Sequence, residues 1–317
     1  MQEFHHIPVL FEAAIGALNV RSGRRYLDCT LGGGGHSQGI LEQSVPDGQV
    51  VGLDRDMAAI RAAGGRLKEH GGRFQAVHGP FSQMEELTEG PFDGILMDLG
   101  VSSPQLDDPG RGFSFQEDGP LDMRMDTGQE LDAAAWLSQC TEKELASALY
   151  RYGEEPRSRR IARAIVAGGP WKRTKPLAQC IAAASGYRNG RTHPATRSFQ
   201  AIRIAVNDEL GQLENGLESA LRMLSPEGRL AVISFHSLED RVIKHRLRKA
   251  AGIGTPRDAF GNPQYPPLGK LVHPKGISGR DHDPGNPRAR SARLRAFERN
   301  SLPHSPPLSS LHEKSLH

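Results

Sequence analysis

Short apolar segments alternate with helical segments over the first hundred residues, and this alternation leaves few folds open to the chain. The apolar segments have the length and residue types of buried strands, and they lie at 24–31, 48–56, 73–81 and 92–100. The segments between them are predicted helices at 35–45, 57–71 and 82–89. Because strands that alternate with helices form βαβ units, the sequence predicts an α/β protein with an open, parallel, Rossmann-like sheet.

The alternation stops after the fourth predicted strand. Residues 101–130 form a long irregular stretch, and a helical region then continues to about residue 224. The segment 228–237 is again an apolar strand, followed by a helix. The sequence therefore predicts a sheet domain interrupted by a helical insert. Its predicted parts are 1–105 (sheet, first part), 106–205 (insert), 206–300 (sheet, second part, with a basic C-terminal segment) and 301–317 (a flexible tail).

Charge is distributed unevenly along the chain. Residues 1–150 hold 11 Lys/Arg against 23 Asp/Glu, whereas 151–203 hold 12 against 2 and 241–300 hold 14 against 4. Clustered cations indicate a polyanionic partner, and nucleic acid is the partner we expect. A solvated basic face with no partner is the alternative.

The cysteines and the N-terminal sequence indicate the cellular compartment in which we expect the protein. Three distant cysteines without a Cys-x-x-Cys pair exclude a disulfide framework and give no metal-ligand spacing. Neither a signal peptide nor an apolar run of membrane-spanning length is present in the sequence. We expect a cytoplasmic protein with no metal and no membrane association.

Ligands of open α/β sheets bind at the carboxyl ends of the strands, so these ends are the first places to examine. The first strand ends in "DCTLGGGGHS" (28–37). A phosphate-binding loop needs a Lys followed by Ser or Thr, and a dinucleotide fingerprint needs a third spaced glycine; both are missing. A dinucleotide-dependent oxidoreductase is therefore disfavoured, although the start of the following helix can still bind a carboxylate.

Residues at two further strand ends restrict the class of ligand that this edge of the sheet could bind. Asp54 ends the second strand, 19 residues after Gly35, where an acid accepts the hydroxyls of an adenosine ribose. Phe81 follows the third strand, where an adenine ring needs an apolar neighbour. A surface acid and an ordinary core phenylalanine are the alternatives. An adenosine cofactor without pyrophosphate fits these features, and S-adenosylmethionine is such a cofactor.

Asp98 ends the fourth strand in "LMDLGVSSPQ", and His236 follows the next one in "SFHSLEDR". A carboxylate hydrogen-bonded to an exocyclic base amine favours its reactive form and stabilises the developing cation. Asp98 is accordingly the predicted catalytic residue, with His236 as a second candidate. A capping acid and a core histidine are the structural alternatives.

Together these motifs closely resemble those of the bacterial MraW family of ribosomal RNA small subunit methyltransferases. The resemblance extends from about residue 5 to 299 and includes "HIPVL", "GLDRD", "GPLDMRMD", "HPATRSFQAIRIAVNDEL" and "NPRARSARLRAFER". It implies transfer of a methyl group from S-adenosyl-L-methionine to the 4-amino nitrogen of a cytidine in the decoding centre of 16S rRNA. The implied cofactor contacts are Gly34, Gly35, His36, Asp54, Phe81, Asp98 and Gln105.

The chain departs from the wider class of amino-methyltransferases at "SSPQ" (102–105), which lacks the second proline and the aromatic residue of their tetrapeptide. The residue that stacks on the target base is then undecided, with Phe113 and Phe115 as candidates. The expected partner is 16S rRNA, as naked RNA or within the small ribosomal subunit, and a homodimer is left open. The alternative function is a non-catalytic RNA-binding assembly factor with a vestigial methyltransferase fold.

Overall fold

The structure is a computed structural model, and the residues described below are 8–186, 193–256, 258, 260–261, 264 and 266–301. The predicted tail at 302–317 and the first two residues of "HIPVL" lie outside them. By contacts, the chain divides into two compact units, 1–100 with 212–317 and 101–211, called here the sheet unit and the helical unit. The insert boundaries drawn from the sequence, 106 and 205, stay a prediction.

The sheet unit contains one seven-stranded sheet in the order β3-β2-β1-β4-β5-β7-β6. Its strands are β1 (Arg25–Asp28), β2 (Gln49–Asp54), β3 (Phe74–His78), β4 (Phe92–Asp98), β5 (Leu224–Ser234), β6 (Gly269–Ser278) and β7 (Arg293–Arg299). Strands β1 to β5 pair in parallel, and β7 pairs antiparallel with both β5 and β6. The predicted Rossmann-like methyltransferase sheet is thus confirmed.

The helices follow in chain order, with α11 crossing from the helical unit into the sheet unit. They are α1 (Phe11–Leu18), α2 (Gly35–Gln43), α3 (Met57–Arg66), α4 (Met84–Leu87), α5 (Ser103–Asp107), α6 (Ala133–Gln139), α7 (Glu142–Gly153), α8 (Ser158–Gly168), α9 (Thr174–Ser185), α10 (Thr196–Asn207), α11 (Glu209–Met223), α12 (Ser237–Ala250) and α13 (Gly279–His282). Short 3-10 turns lie at Lys68–Arg73, Phe81–Gln83, Pro109–Arg111 and Pro287–Ser291. No helix of the described residues is long and apolar enough to cross a membrane.

Burial on both faces explains why the central strands are continuously apolar. In β4, Ile95 and Met97 pack into one hydrophobic cluster while Leu96 packs into another. Successive side chains of a strand point to opposite faces, so an all-apolar strand is what a sheet covered on both sides requires. The helical unit has its own core, which includes Leu145, Leu149 and Ile161.

Three elements differ from the sequence-based prediction. The last part of the predicted helical region, from about 195 to 224, forms two helices, because Asp208 has a positive φ of 46° that ends α10 before α11 begins. The segment 286–299 contains β7, an interior strand of the sheet, and β6 lies beside it at the edge. Helix α1 was also not predicted. The Gly/Pro-rich stretch before β6 and the arginines within β7 obscure the apolar pattern on which strand prediction depends.

Candidate functional site

Acidic residues stand at the carboxyl ends of three neighbouring parallel strands. Asp28 is the last residue of β1, Asp54 of β2 and Asp98 of β4. These strands are adjacent in the order β2-β1-β4, and β5, which precedes His236, lies next to β4. The structure therefore brings the predicted acids to one edge of the sheet, where ligands of such sheets bind.

The glycine run connects β1 to α2, and its four residues are glycine for different reasons. Gly32 and Gly34 have positive φ angles of 49° and 77°, which L side chains rarely adopt. A Cβ on Gly34 would lie 3.2 Å from side-chain atoms of α3, and one on Gly35 would lie 2.5 Å from Cγ of Pro8. Only Gly33 has nothing within 4 Å of such a Cβ.

The glycine run is consequently only in part a surface that a ligand could approach. Backbone conformation and packing within the protein already require glycine at 32, 34 and 35. The cofactor contacts predicted at Gly34 and Gly35 stay a prediction. Because glycine has no side chain, backbone atoms would have to make these contacts. Gly33 is the position where close approach of a ligand is sterically open.

Asp54 fixes the glycine turn and retains capacity for a ligand. Its Oδ2 accepts a hydrogen bond from the Gly32 N–H at 2.8 Å, and its Oδ1 accepts one from the Asp56 N–H at 2.8 Å. Because a carboxylate offers about four lone-pair positions, each oxygen can accept one further bond, as two ribose hydroxyls would require. Burial raises the pKa of Asp54, while the two backbone donors lower it in part.

A buried network links the glycine turn to Asp98. Asp28 is 1 % exposed and accepts hydrogen bonds from the Ser37 hydroxyl at 2.7 Å and the Thr30 N–H at 3.2 Å. The Asp98 N–H in turn donates to the Thr30 hydroxyl at 2.6 Å. Burial raises the pKa of Asp28 to about 6, despite the donors Ser37 and Thr30. The sequence-based site did not include Asp28, Thr30 or Ser37, although all three lie in "DCTLGGGGHS".

Asp98 has one carboxylate oxygen that is buried without a hydrogen-bond partner among the described residues, Oδ1. The side chain as a whole is 22 % exposed, although Oδ1 itself has almost no exposed surface. Its pKa is raised well above the usual range, chiefly by burial and further by the charges of Asp28 and Glu239. A buried acceptor without a partner is costly, and a donor supplied by a ligand would remove that cost.

His36, in the first turn of α2, lies beside Asp98. Its Nδ1 is 3.7 Å from Oδ2 of Asp98, and its ring stacks on Phe11 with centroids 6.0 Å apart. The side chain is 5 % exposed. The Phe11 ring holds the imidazole orientation, so His36 forms part of the wall around the Asp98 carboxylate.

Phe81 lies in the 3-10 turn after β3 and is half-buried. Its ring packs against α11 at Gly216, where a Cβ would lie 2.5 Å from the ring, and against the adjoining hydrophobic cluster. The core interpretation therefore holds for the side of the ring that faces α11. Contact with an adenine stays a prediction.

His236 is the N-cap residue of α12, and Glu239 contacts both nitrogens of its ring. Nδ1 accepts from the Glu239 N–H at 3.4 Å, and Nε2 is 3.2 Å from Glu239 Oε1. The Glu239 carboxylate also accepts from the N–H groups of Phe235 and His236. This capping box gives His236 a structural role, so its predicted part in catalysis rests on the sequence alone.

Gln105 lies in the helical unit and completes a second capping box, at the start of α5. Its N–H donates to the Ser102 hydroxyl at 3.4 Å, and its Oε1 accepts from the Ser102 N–H at 3.0 Å. The pattern S-x-x-Q is itself a signature of a helix start, so "SSPQ" contained this signal. Binding of a cofactor by Gln105 stays a prediction.

The two phenylalanines considered for base stacking differ in exposure. Phe113 is 7 % exposed in the core of the helical unit, with Arg111 over its ring. Phe115 is half-buried, and its ring contacts His193 and Phe199 at centroid distances of 4.7 Å. Phe113 has no free face for a base, which leaves Phe115 as the better of the two candidates.

The residues of the sheet unit fit a small cationic ligand with hydroxyl groups. Asp28, Asp54 and Asp98 are acids at one edge of the sheet, and their anionic forms suit a sulfonium group. The turn at Gly33 is open to close approach, and Asp54 has acceptor positions left for hydroxyls. Oδ1 of Asp98 is an acceptor that lacks a hydrogen-bond donor among the described residues. S-adenosylmethionine combines a sulfonium, an ammonium and two ribose hydroxyls, so the donor set agrees with it.

Comparison with known proteins gives the same assignment. The model of the MraW methylase family matches residues 3–300. Two proteins named "Ribosomal RNA small subunit methyltransferase H", from two strains of Dehalococcoides mccartyi, are 47 % identical over 309 residues, covering 94 % of this chain and 88 % of theirs.

Solved structures are more distant. N-methyltransferase NodS from Bradyrhizobium japonicum is 10 % identical with a TM-score of 0.41, over 92 % of both chains. An rRNA methylase from Streptococcus thermophilus is 11 % identical with a TM-score of 0.38, over 92 % of this chain and 93 % of its own. The family match and the close relatives decide the assignment: the chain belongs to the MraW methylase family, with S-adenosylmethionine as its methyl donor.

Proposed function

We propose that this methylase transfers a methyl group from S-adenosylmethionine to the exocyclic 4-amino nitrogen of a cytidine in the decoding centre of 16S rRNA. The names of the relatives at 47 % identity support ribosomal RNA of the small subunit as the substrate. The observation that carries the choice of an amine is Asp98, whose buried Oδ1 lacks a hydrogen-bond partner among the described residues. An amino group offers the donor that this oxygen needs.

Asp98 would act on the nucleophile. The lone pair of a cytosine amine is delocalised into the ring, so the free amine attacks poorly. A carboxylate that accepts a hydrogen bond from this N–H favours the pyramidal form and stabilises the positive charge that develops. When bound, S-adenosylmethionine supplies the electrophilic methyl group. The protein then contributes mainly by holding Asp98 and the target amine in a fixed orientation.

The excess proton of the methylated nitrogen has an acceptor close by. The Asp98 carboxylate can take it, and Nδ1 of His36 lies 3.7 Å from Oδ2 of the same carboxylate. Asp28 and Glu239 disfavour negative charge on Asp98. Proton uptake by Asp98 is therefore favourable once the cation has formed.

The remaining site residues divide between the cofactor and the fold. Asp54 would accept the two ribose hydroxyls, and the backbone at Gly33 would approach the amino-acid end of the cofactor. Phe81 would contact the adenine with the side of its ring that does not pack on α11. His236 and Gln105 act as helix caps in the structure. A catalytic role for His236 and a cofactor contact for Gln105 rest on the sequence alone.

The hairpin of α8 and α9 supports RNA as the partner. Residues 157–186 contain seven Lys/Arg and no Asp/Glu. Arg159 and Arg160 are exposed, whereas Arg163 pairs with Glu142. Exposed cations of this kind bind phosphates and release counterions. An assembled small subunit as substrate and a cytoplasmic location rest on the sequence and the resemblance alone, and a homodimer is left open.

Mass spectrometry of 16S rRNA from cells with and without the gene tests the proposal. We expect one decoding-centre cytidine to lose its N4-methyl mass when the gene is deleted. Wild-type protein should restore the methyl group, and Asp98→Asn should not. Asp93→Asn is the matched control, because Asp93 lies near the start of the same strand and pairs with Arg24.

Two results would contradict the proposal. An unchanged cytidine in the deletion strain would show that another enzyme makes this modification. A lost methyl group on a different atom or nucleotide would keep the methylase and replace its target.

A further inference from the structure

The arginines of β7 are engaged by the protein itself. The Arg295 guanidinium donates to both carboxylate oxygens of Asp240, at 2.7 and 3.0 Å, and its side chain is 10 % exposed. The Arg299 guanidinium donates to the carbonyls of Arg222 and Leu224. Both arginines belong to the basic C-terminal segment predicted from the sequence, but their contacts stabilise the sheet unit.

A different set of basic side chains is exposed beside that strand. Lys244 and Arg248, one turn apart on α12, and His273 on β6 line the same narrow crevice, with Arg295 also in its lining. All three are exposed, and no acidic partner is found for them among the described residues. The crevice encloses about 10 Å³, roughly the space of one water molecule, so it holds no small organic ligand.

His273 lies in a bulge of β6. The pairing of β6 with β7 loses its register between Val272 and Ile277. Within the interruption, His273 has a positive φ of 58°, and Gly276 has one of 72°. A non-glycine residue in this region carries strain, and such strain is concentrated at functional sites.

We propose that Lys244, Arg248, His273 and Lys275, the α12–β6 surface, bind the phosphate backbone of the RNA substrate. The exposed Lys275 follows His273 by two residues on the same bulge. Cations without protein partners can replace the counterions of a polyanion, whereas Arg295 would first have to leave Asp240. Among the described residues β6 is the edge strand of the sheet, and no further strand of that part of the chain pairs with it. The proposal rests on the proposed function for its partner, ribosomal RNA.

The test is the salt dependence of binding to a labelled 16S rRNA transcript, with the full-length protein. The slope of log K against log [salt] should fall in magnitude by about 1.4–1.8 in Lys244→Gln/Arg248→Gln, from about 0.7–0.9 per phosphate contact. Each single variant should give about half of that change. The matched control is Arg61→Gln/Lys68→Gln, with the same loss of charge on exposed residues of α3 and the 3-10 turn after it. The two control residues lie on elements that contact β3, and β3 is the strand at the edge of the sheet opposite to β6.

A slope in the α12–β6 variant equal to that of the control overturns the proposal. Calorimetric binding of S-adenosylmethionine verifies that each variant is folded, since none of these residues belongs to the cofactor site. Failure of the proposed function is a separate result. It would appear as an unchanged level of N4-methylated cytidine in 16S rRNA from the deletion strain, whatever the salt slope.

Discussion

The acidic edge of the sheet unit and the basic α8–α9 hairpin of the helical unit use charge in opposite ways. At the sheet edge, a few carboxylates are buried and each has a distinct set of partners, as with Asp28 and Asp54. In the hairpin, seven cations share one segment without any acid, and several are exposed. The effect of a buried charge depends on its exact position and partners. The effect of exposed charges depends on how many of them there are, and salt screens it. Single substitutions should therefore abolish the first function and only weaken the second.

The largest effect should come from Asp98→Asn. We expect turnover on small ribosomal subunits to fall by about 10²–10³-fold, because one charge-stabilising group in a preorganised site contributes about that much. Affinity for S-adenosylmethionine should change far less than turnover. Single-turnover kinetics separates the two, with Asp93→Asn as control. Equal turnover of both variants would remove Asp98 from the chemistry.

The next effect should be that of Asp54→Ala on cofactor affinity. Two hydrogen bonds to a charged acceptor are lost, so we expect the Kd for S-adenosylmethionine to rise by about 10²-fold or more. Calorimetry measures it, and thermal unfolding shows that the protein remains folded after the Gly32 N–H loses its partner. Asp54→Asn, which keeps one acceptor oxygen, should lose less affinity. Wild-type affinity in Asp54→Ala would place the ribose elsewhere.

A smaller effect is the pH dependence of cofactor binding. Asp28 has a pKa of about 6, so it is neutral below that pH and anionic above it. A cationic cofactor favours the anionic form, and its affinity should rise between pH 5 and 7, by at most about tenfold per unit. The neighbouring Asp54 and Asp98 also have raised pKa values and broaden the transition.

Two variants locate that transition. Asp28→Asn should reduce the dependence, and Ser37→Ala should move its midpoint to higher pH, because the Ser37 hydroxyl lowers the pKa of Asp28. Calorimetric titrations at several pH values test both. An identical pH profile for wild type and Ser37→Ala would show that Asp28 does not titrate in this range.

The smallest effect should come from the hairpin. Arg159→Gln/Arg160→Gln should weaken RNA binding and lower the salt slope by about 1.4–1.8, without changing which cytidine is methylated. Arg163→Gln should have a smaller effect per charge, because Glu142 already lies 3.4 Å from that guanidinium. A changed methylation site in the double variant would mean that these arginines specify sequence.

Most of the sheet and the positions of its acids were predictable from local sequence. Asp54 and Asp98 each end a continuous apolar strand, and such strands in alternation with helices fix both the parallel sheet and the edge where their ends lie. Strand β7 was not predictable in the same way, because arginines interrupt its apolar pattern. The strand is interior because it pairs with β5 and β6, and Asp240 accepts hydrogen bonds from the Arg295 that lies within it.

The glycine run shows the limit of local inference most clearly. The sequence requires that side chains be excluded there, but it does not say what excludes them. The structure shows Pro8 at Gly35 and α3 at Gly34, so the protein's own packing accounts for two of the four glycines.

The sequence by itself determined the fold class, the acidic strand ends and the family, because each depends on residue types at fixed spacing along the chain. Tertiary structure decided which charges are engaged and which are exposed. It paired Arg295 and left Lys244 exposed, buried Asp28 beneath the glycine turn, and made His236 a helix cap. Burial and pairing depend on residues far apart in the chain, and no local pattern specifies them.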